Sequence, residues 1–162
     1  MPYTKSISIH ATVHKTLKYI LNPDKTESLL YASSMNCMTN ADDAYLEMKS
    51  IYEHYSGKKY NAPLPSSGKG AVKAIHYIQA FDPKDNVSPE LAHRIAKAFA
   101  RKTFGDDVQV VIATHKVPSL PKLFHLSTAL LYQLRTPHSQ CNFLPNSIHE
   151  RASIYKHHLE GD

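Results

Sequence analysis

The chain has 162 residues, 42% of them hydrophobic, enough for one domain with a real core or one domain plus a tail. Nineteen Lys and Arg against fourteen Asp and Glu give a formal charge of +5 at pH 7, which favours an anionic partner. Cys37 and Cys141 match no CxxC or zinc-ribbon spacing, no run approaches 18 apolar residues, and "MPYTKSISIH" has no signal-peptide core. These features speak against a disulfide scaffold and a membrane span, and a soluble cytoplasmic protein is expected.

"TKSISI" alternates polar and apolar residues and predicts a strand over Thr4 to Ile9. In "VHKTLKYILN", Val13, Leu17 and Ile20 or Leu21 fall at helical spacing, and Asn22-Pro23 closes the helix. "SLLYASSMNC" predicts a second strand. "TNADDAYLEMKSIYEHYSG" predicts a helix with Thr39 and Asp42 as a capping box and a stripe of Tyr45, Met48, Tyr52 and Tyr55. Gly57 is its natural stop. A tyrosine stripe at this spacing is core far more often than a base-stacking platform.

"KKYNAPLPSSGKGA" is a basic loop. Its "SSGKG" lacks the GxxxxGK[ST] pattern and no apolar strand immediately precedes it, so nucleotide hydrolysis is a poor fit. "AVKAIHYIQAF" reads as a central strand, with Val72, Ala74, His76 and Ile78 on one side and Ile75, Tyr77 and Gln79 on the other. "SPELAHRIAKAFARKTFG" predicts a helix capped by Ser88, with Pro89 at its first position and a core face of Leu91, Ile95, Ala98 and Phe99. Arg94, Lys97 and Arg101 repeat on the other side, where a solvated face is the ordinary role and a phosphate-tracking face the alternative. "DVQVVIATH" is a strand rich in β-branched residues. The order β-α-β-α-β-α-β fits an α+β fold with helices over one sheet, and pattern alone leaves a doubly wound parallel sheet open.

Chemistry must come from the histidines and tyrosines. A lone histidine is usually a surface group or a satisfied core residue, and Tyr19 alone would be an ordinary core tyrosine. His76 lies in an apolar strand, where an imidazole is costly unless its nitrogens are satisfied. His115 ends a strand and leads into a loop, the commonest position for a functional side chain.

Together "LKYILNPDKT", "AIHYIQAFDPKDNVSPELAHRIAKAFARKTFGDD" and "VQVVIATH" resemble the relaxases, the mobilisation nucleases of conjugative plasmids and integrative elements, from Thr4 to His115. The resemblance implies a HUH-endonuclease-like α+β fold: an antiparallel-rich central sheet with helices packed on it, incomplete here after the third-motif strand. Residues 1–115 would be the N-terminal part of the relaxase domain and 116–162 a divergent tail. It further implies a DNA-strand transferase. A tyrosine, matched by Tyr19, attacks a phosphodiester at the origin of transfer and leaves a 5′-phosphotyrosyl link and a free 3′-hydroxyl. Covalent catalysis of this kind conserves the phosphodiester energy for rejoining. Phenols ordinarily ionise near pH 10, so help is needed at neutral pH. The family's help is a divalent metal, Mg²⁺ or Mn²⁺, held by three histidines. His115 matches the first of them, and His76 matches a histidine of the middle motif that supports the site or the DNA. Lys15 and Lys18 beside Tyr19, with Lys58, Lys59 and Lys69 of the basic loop, are the expected DNA contacts. The implied partners are single-stranded or supercoiled origin DNA, accessory mobilisation proteins and a coupling protein, in the bacterial cytoplasm and away from the membrane.

The chain then departs from the family pattern. Relaxases continue from "ATH" into a His-x-His strand whose alternate imidazoles point into one cavity. This sequence contains no His-x-His: His125, His138 and His149 stand apart, and His157-His158 are adjacent. Drift would blur a motif, whereas here the likeness stops within a residue or two of His115, as a shift of reading frame would make it stop. "ALLYQLR", Ala129 to Arg135, can be encoded by GCACTGTTATATCAACTCCGT. Read from its second base, that string gives His-Cys-Tyr-Ile-Asn-Ser, which resembles the end of the missing strand. On this reading Lys116 to Asp162 is out-of-frame text. "LFHLSTALLYQL" and "SIHERASIYKHHLEG" would form helices if anything, and the strand Val108–Thr114 would be left as an exposed edge, an aggregation hazard unless the tail covers it.

Two function classes follow: a relaxase, impaired in this form, and a non-catalytic nucleic-acid-binding module or inactive remnant. The frame hypothesis predicts that the nucleotide sequence around codon 116 continues the His-x-His motif in an alternate frame. Sequencing that yields no such continuation removes it.

Overall fold

The computed structural model describes residues 3–26, 28–68, 70–116 and 126–134. Its elements in chain order are β1 (Tyr3–Ile9), α1 (Val13–Ile20), β2 (Ala32–Met35), α2 (Ala41–Ser56), β3 (Ala74–Phe81), α3 (Pro89–Phe104), β4 (Val108–Lys116) and β5 (Leu126–Leu134), with a 3₁₀ turn at Pro83–Asp85. The five strands make one sheet in the order β1-β3-β5-β4-β2. Every pairing in it is antiparallel. This is the α+β class expected from the sequence, and the antiparallel ladders remove the doubly wound alternative.

Side chains alternate across a strand, so β4 distributes its residues to two cores. Val111 and Ala113 join Val13, Leu17 and Ile20 of α1 and Ala44 and Met48 of α2. Val110 and Ile112 join Ala96, Phe99 and Ala100 of α3. Helices therefore cover both faces of the sheet. β3 follows the same rule, with Ala74 in the first core and Tyr77 in the second.

Local chemistry explains most element ends. Ser88 Oγ accepts from the Leu91 N–H at 3.1 Å at the start of α3, with Pro89 in the first turn. Gly57 closes α2 at φ +64, a left-handed turn that costs a side-chain-bearing residue more. The start of α2 differs from expectation. Asn40 is the cap, its Oδ1 accepting from the N–H groups of Asp42 at 2.9 Å and Asp43 at 3.4 Å. Thr39 turns away to share a hydrogen bond with Ser34 Oγ at 2.9 Å.

The buried stripe of α3 is also one position from the expected face. Ala92, Ala96, Phe99, Ala100 and Thr103 are buried, while Leu91 is exposed. Three alanines on one stripe let the helix lie close to the sheet, and Phe99 fills the space beside them, stacking edge-on with Phe104 and Tyr77. Of the tyrosine stripe on α2, Tyr45 and Tyr52 pack on the core and Tyr55 is exposed. β3 begins at Ala74, and Val72 lies outside it, exposed.

The largest correction concerns the end of the sheet. β4 is not an edge: it pairs with β2 on one side and with β5 on the other, from Val108↔Leu134 to Lys116↔Leu126. β5 also pairs with β3 from Phe81↔Leu126 to Ile75↔Tyr132, so it is the central strand. "LFHLSTALLYQL" thus contributes a strand where its leucines suggested a helix. Two flanking strands offer unpaired N–H and C=O groups on both sides of one slot, and satisfying them outweighs a weak local preference. The second helix expected in the tail, over Ser147 to Gly161, lies outside the described residues.

The cap assignment is tested by thermal unfolding. Asn40→Ala should cost about 1 kcal/mol, roughly 3 °C in midpoint, and more than Thr39→Ala. The reverse order would return the cap to Thr39.

Candidate active site

α1 presents three buried residues, Val13, Leu17 and Ile20, to the core. Tyr19, one position from Ile20, is turned outward and is 53% exposed. Ile20 is the last residue of α1, so its carbonyl lacks an intrahelical partner. His115 supplies one: its Nε2 donates to the Ile20 carbonyl at 2.7 Å. A carbonyl can only accept, so this nitrogen carries the proton, and the neutral ring keeps its lone pair on Nδ1. Burial holds the His115 pKa below the ordinary imidazole value, against the pull of the Ile20 carbonyl and with a smaller push from Lys25. The ring is neutral at pH 7.

The edge of one ring meets the other between Tyr19 and His115, with centroids 6.0 Å apart and planes at 81°. Lys25 Nζ lies 3.9 Å from the Tyr19 ring centroid, a cation–π contact. Its loop is fixed locally. The Asp24 N–H donates to Asn22 Oδ1 at 2.9 Å, and the Lys25 N–H to the Asn22 carbonyl at 3.0 Å. Thr26, wholly buried, donates its hydroxyl to the Asn22 carbonyl at 2.9 Å. Asn22-Pro23, which ends α1, therefore also turns Lys25 back over Tyr19. Lys25 was not among the expected site residues. Its signal was the turn "NPDKT" directly after the tyrosine helix.

His76 is buried on the same face of the sheet, by its alternation with Ala74. In register it stands across β5 opposite Val111, four residues before His115 in β4. Burial, reinforced by His115, pushes its pKa down to about 4. Among the described residues its Nε2, which is buried, has no hydrogen-bond partner.

Lys15 and Lys18 lie exposed on α1 with Tyr19. Lys18 Nζ is 3.2 Å from Asp42 Oδ1, which also meets His14 Nε2 at 2.6 Å. His14 and then Lys18 hold the Asp42 carboxyl below the usual range, so this acid offsets part of the basic surface. Lys58 and Lys59 are exposed beyond α2 and make no described contact with the tyrosine site. Lys69 lies outside the described residues.

A tyrosine on a helix end, a neutral histidine on a strand end and a lysine from the intervening loop thus converge. The family described as "Relaxase: MobA/VirD2-like, nuclease domain" matches residues 19–117 of the chain. The chain belongs to this relaxase family. The match opens on Tyr19 and closes two residues beyond His115. Among curated proteins it is similar to the "Group II intron-interrupted relaxase LtrB" of Lactococcus lactis subsp. cremoris (strain MG1363), 31% identical over 154 residues, covering 71% of this chain and 27% of that protein. A second relaxase of that description, from Lactococcus lactis subsp. cremoris, gives the same figures. The chain thus spans about a quarter of the length of the curated relatives it matches. No solved structure matches.

Among the described residues, the donor set around Tyr19 does not fit the family's metal. Among the described residues no group of three or more His, Cys, Asp or Glu is placed to hold an ion. His115 can offer Nδ1, with Nε2 anchored on a carbonyl in the manner usual for metal-binding imidazoles. β5, paired against it at His115↔Ser127, reads "LSTALLYQL" and contains no metal-binding side chain.

The burial of His76 makes a pH prediction. The unfolded chain binds a proton at this histidine near pH 6.5, while the folded chain resists until about 4. Stability is then full above 6.5 and falls on acidification across that window, by up to about 1.4 kcal/mol per pH unit from this group. His76→Phe should flatten that part of a denaturation-versus-pH curve. An unchanged slope would show that the imidazole is not desolvated.

Proposed function

We propose that the chain carries the nucleophile side of a relaxase site, in which Tyr19 attacks DNA, and that strand transfer by this form is impaired. The observation that supports this is the convergence of Tyr19, His115 and Lys25 from a helix end, a strand end and a loop. In the reaction, Tyr19 Oη attacks the scissile phosphorus and the bond from phosphorus to the 3′-oxygen breaks. The phosphate stays on tyrosine as a 5′-phosphotyrosyl ester. The 3′-oxygen leaves and takes a proton, and the phenolic proton passes to water at this exposed ring. Lys25 brings a positive charge to the phosphate beside the nucleophile. His115 holds the end of α1 against β4 and keeps the ring edge-on. A bound divalent ion would polarise the phosphate and favour the phenolate. The described residues do not make up its cage, and for that reason the attack is slow.

The absence of any ligand residue in β5 favours a second reading, a non-catalytic module that binds origin DNA through its basic surface. A supercoiled plasmid carrying the origin region beside the chain's own gene separates the two. With Mg²⁺ or Mn²⁺, the relaxase reading expects slow nicking and a covalent protein–DNA adduct, both reduced on the order of 10³-fold or more by Tyr19→Phe. Salt-sensitive binding with no adduct from either protein would instead select the binding module.

A further inference from the structure

The face of the sheet opposite Tyr19 carries a second polar cluster. His93, on α3, shares a hydrogen bond through Nε2 with Ser33 Oγ of β2 at 2.9 Å, and another through Nδ1 with Thr114 Oγ1 of β4 at 3.2 Å. The Thr114 N–H donates to the Tyr31 carbonyl at 2.9 Å, and the Tyr31 ring lies 6.4 Å from the His93 ring. Thr114 is the residue before His115.

We propose that His93 is a positioning residue for His115, fixing the end of β4 from behind through Thr114. This rests on the relaxase reading only for the use to which His115 is put. Three observations support it. First, the imidazole of His115 reaches the Ile20 carbonyl only while the end of β4 keeps its place, and functional geometry of this kind tolerates displacements of about 0.5 Å. The contact with α1 restrains that strand end from one face, and the hydrogen bond of His93 to Thr114 restrains it from the other.

Second, His93 is not needed to pack α3. The buried stripe is Ala92, Ala96, Phe99, Ala100 and Thr103, and His93 is half-buried beside it. An apolar side chain there would avoid the cost of drying an imidazole. Third, the cluster is satisfied in either tautomer. Burial, then Lys97, lowers the His93 pKa, so the ring is neutral with one donor and one acceptor. Hydroxyls on both sides can take the complementary roles. The link from β2 through α3 to β4 therefore holds whichever nitrogen bears the proton.

The test is ¹⁵N-edited NMR of the His115 ring, compared across variants of the whole chain. Wild type should show one tautomer with a slowly exchanging Nε2 proton. His93→Leu, which keeps bulk and removes both nitrogens, should leave the fold intact. It should also speed that exchange about tenfold, the factor one net hydrogen bond is worth. His93→Asn, whose amide overlies the Nδ1 position, should restore slow exchange. His93→Gln, which overlies Nε2 and reaches Ser33, should not. Should His93→Leu fail to fold, Thr114→Val removes the same hydroxyl at constant shape and must give the same loss. An unchanged His115 signal in the folded leucine or valine variant overturns the proposal. A changed signal in a chain that never forms a tyrosine adduct upholds the positioning and defeats the relaxase reading. An unchanged signal in a chain that does form the adduct does the opposite.

Discussion

The hydrogen bond from His115 to the Ile20 carbonyl is the constraint on which the rest of the site depends. A helix leaves its last carbonyls unpaired, and a buried one is costly unless something else donates to it. Here the donor is an imidazole at the end of the neighbouring strand. Because Tyr19 precedes Ile20 in the chain, the bond sets the distance between a phenol and an imidazole that are 96 residues apart, from 19 to 115. It also decides which ring nitrogen of His115 retains a lone pair. One interaction thus joins α1 to β4, orients the candidate nucleophile and selects a tautomer.

The electrostatics around that bond divide by depth. His76 and His115, on the face that carries Tyr19, are both disfavoured as cations because they are desolvated, so no charge lies beneath the tyrosine at neutral pH. Positive charge is left at the rim, on Lys15, Lys18 and Lys25. Only Lys25 touches the tyrosine ring, and Lys18 shares Asp42 with His14. A negative backbone approaching Tyr19 would meet cations first and neutral imidazoles beneath them. That suits the anionic partner favoured by the net charge.

Much of this was legible in the sequence, where a local physical rule applied. Periodicity gave β1, α1, α2, α3 and β4. Ser88, Pro89 and Gly57 marked ends through chemistry that acts over three or four residues. The errors arose where the deciding contact was distant. Asn40 and Thr39 are both good caps, and Ser34 from β2 settled which one was used. Leucine outranks alanine in a hydrophobic count, yet α3 buries its alanines because the sheet comes close. Tyr19 stood out only through family likeness, and His115 through its place at a strand end, with its role supplied by that likeness. His93 gave no signal, since nothing in "ELAHRIAK" says that a hydroxyl of β4 awaits the ring.

β5 shows why fold and chemistry separate in this chain. The slot between β3 and β4 asks for nine residues able to extend and to present N–H and C=O groups on both edges. Many sequences meet that demand, because the groups belong to the backbone and are the same for almost every residue. "LSTALLYQL" meets it without proline, glycine or charge. A metal cage makes the opposite demand, requiring particular side chains on alternate positions of one strand, and one missing imidazole weakens the whole set. A sheet can therefore be completed by a segment that carries none of the family's ligands. The completed sheet still pins His115 to Ile20 and so preserves the geometry around Tyr19. Relaxase architecture persists here on backbone hydrogen bonds, and the central strand that completes it adds no imidazole to His115.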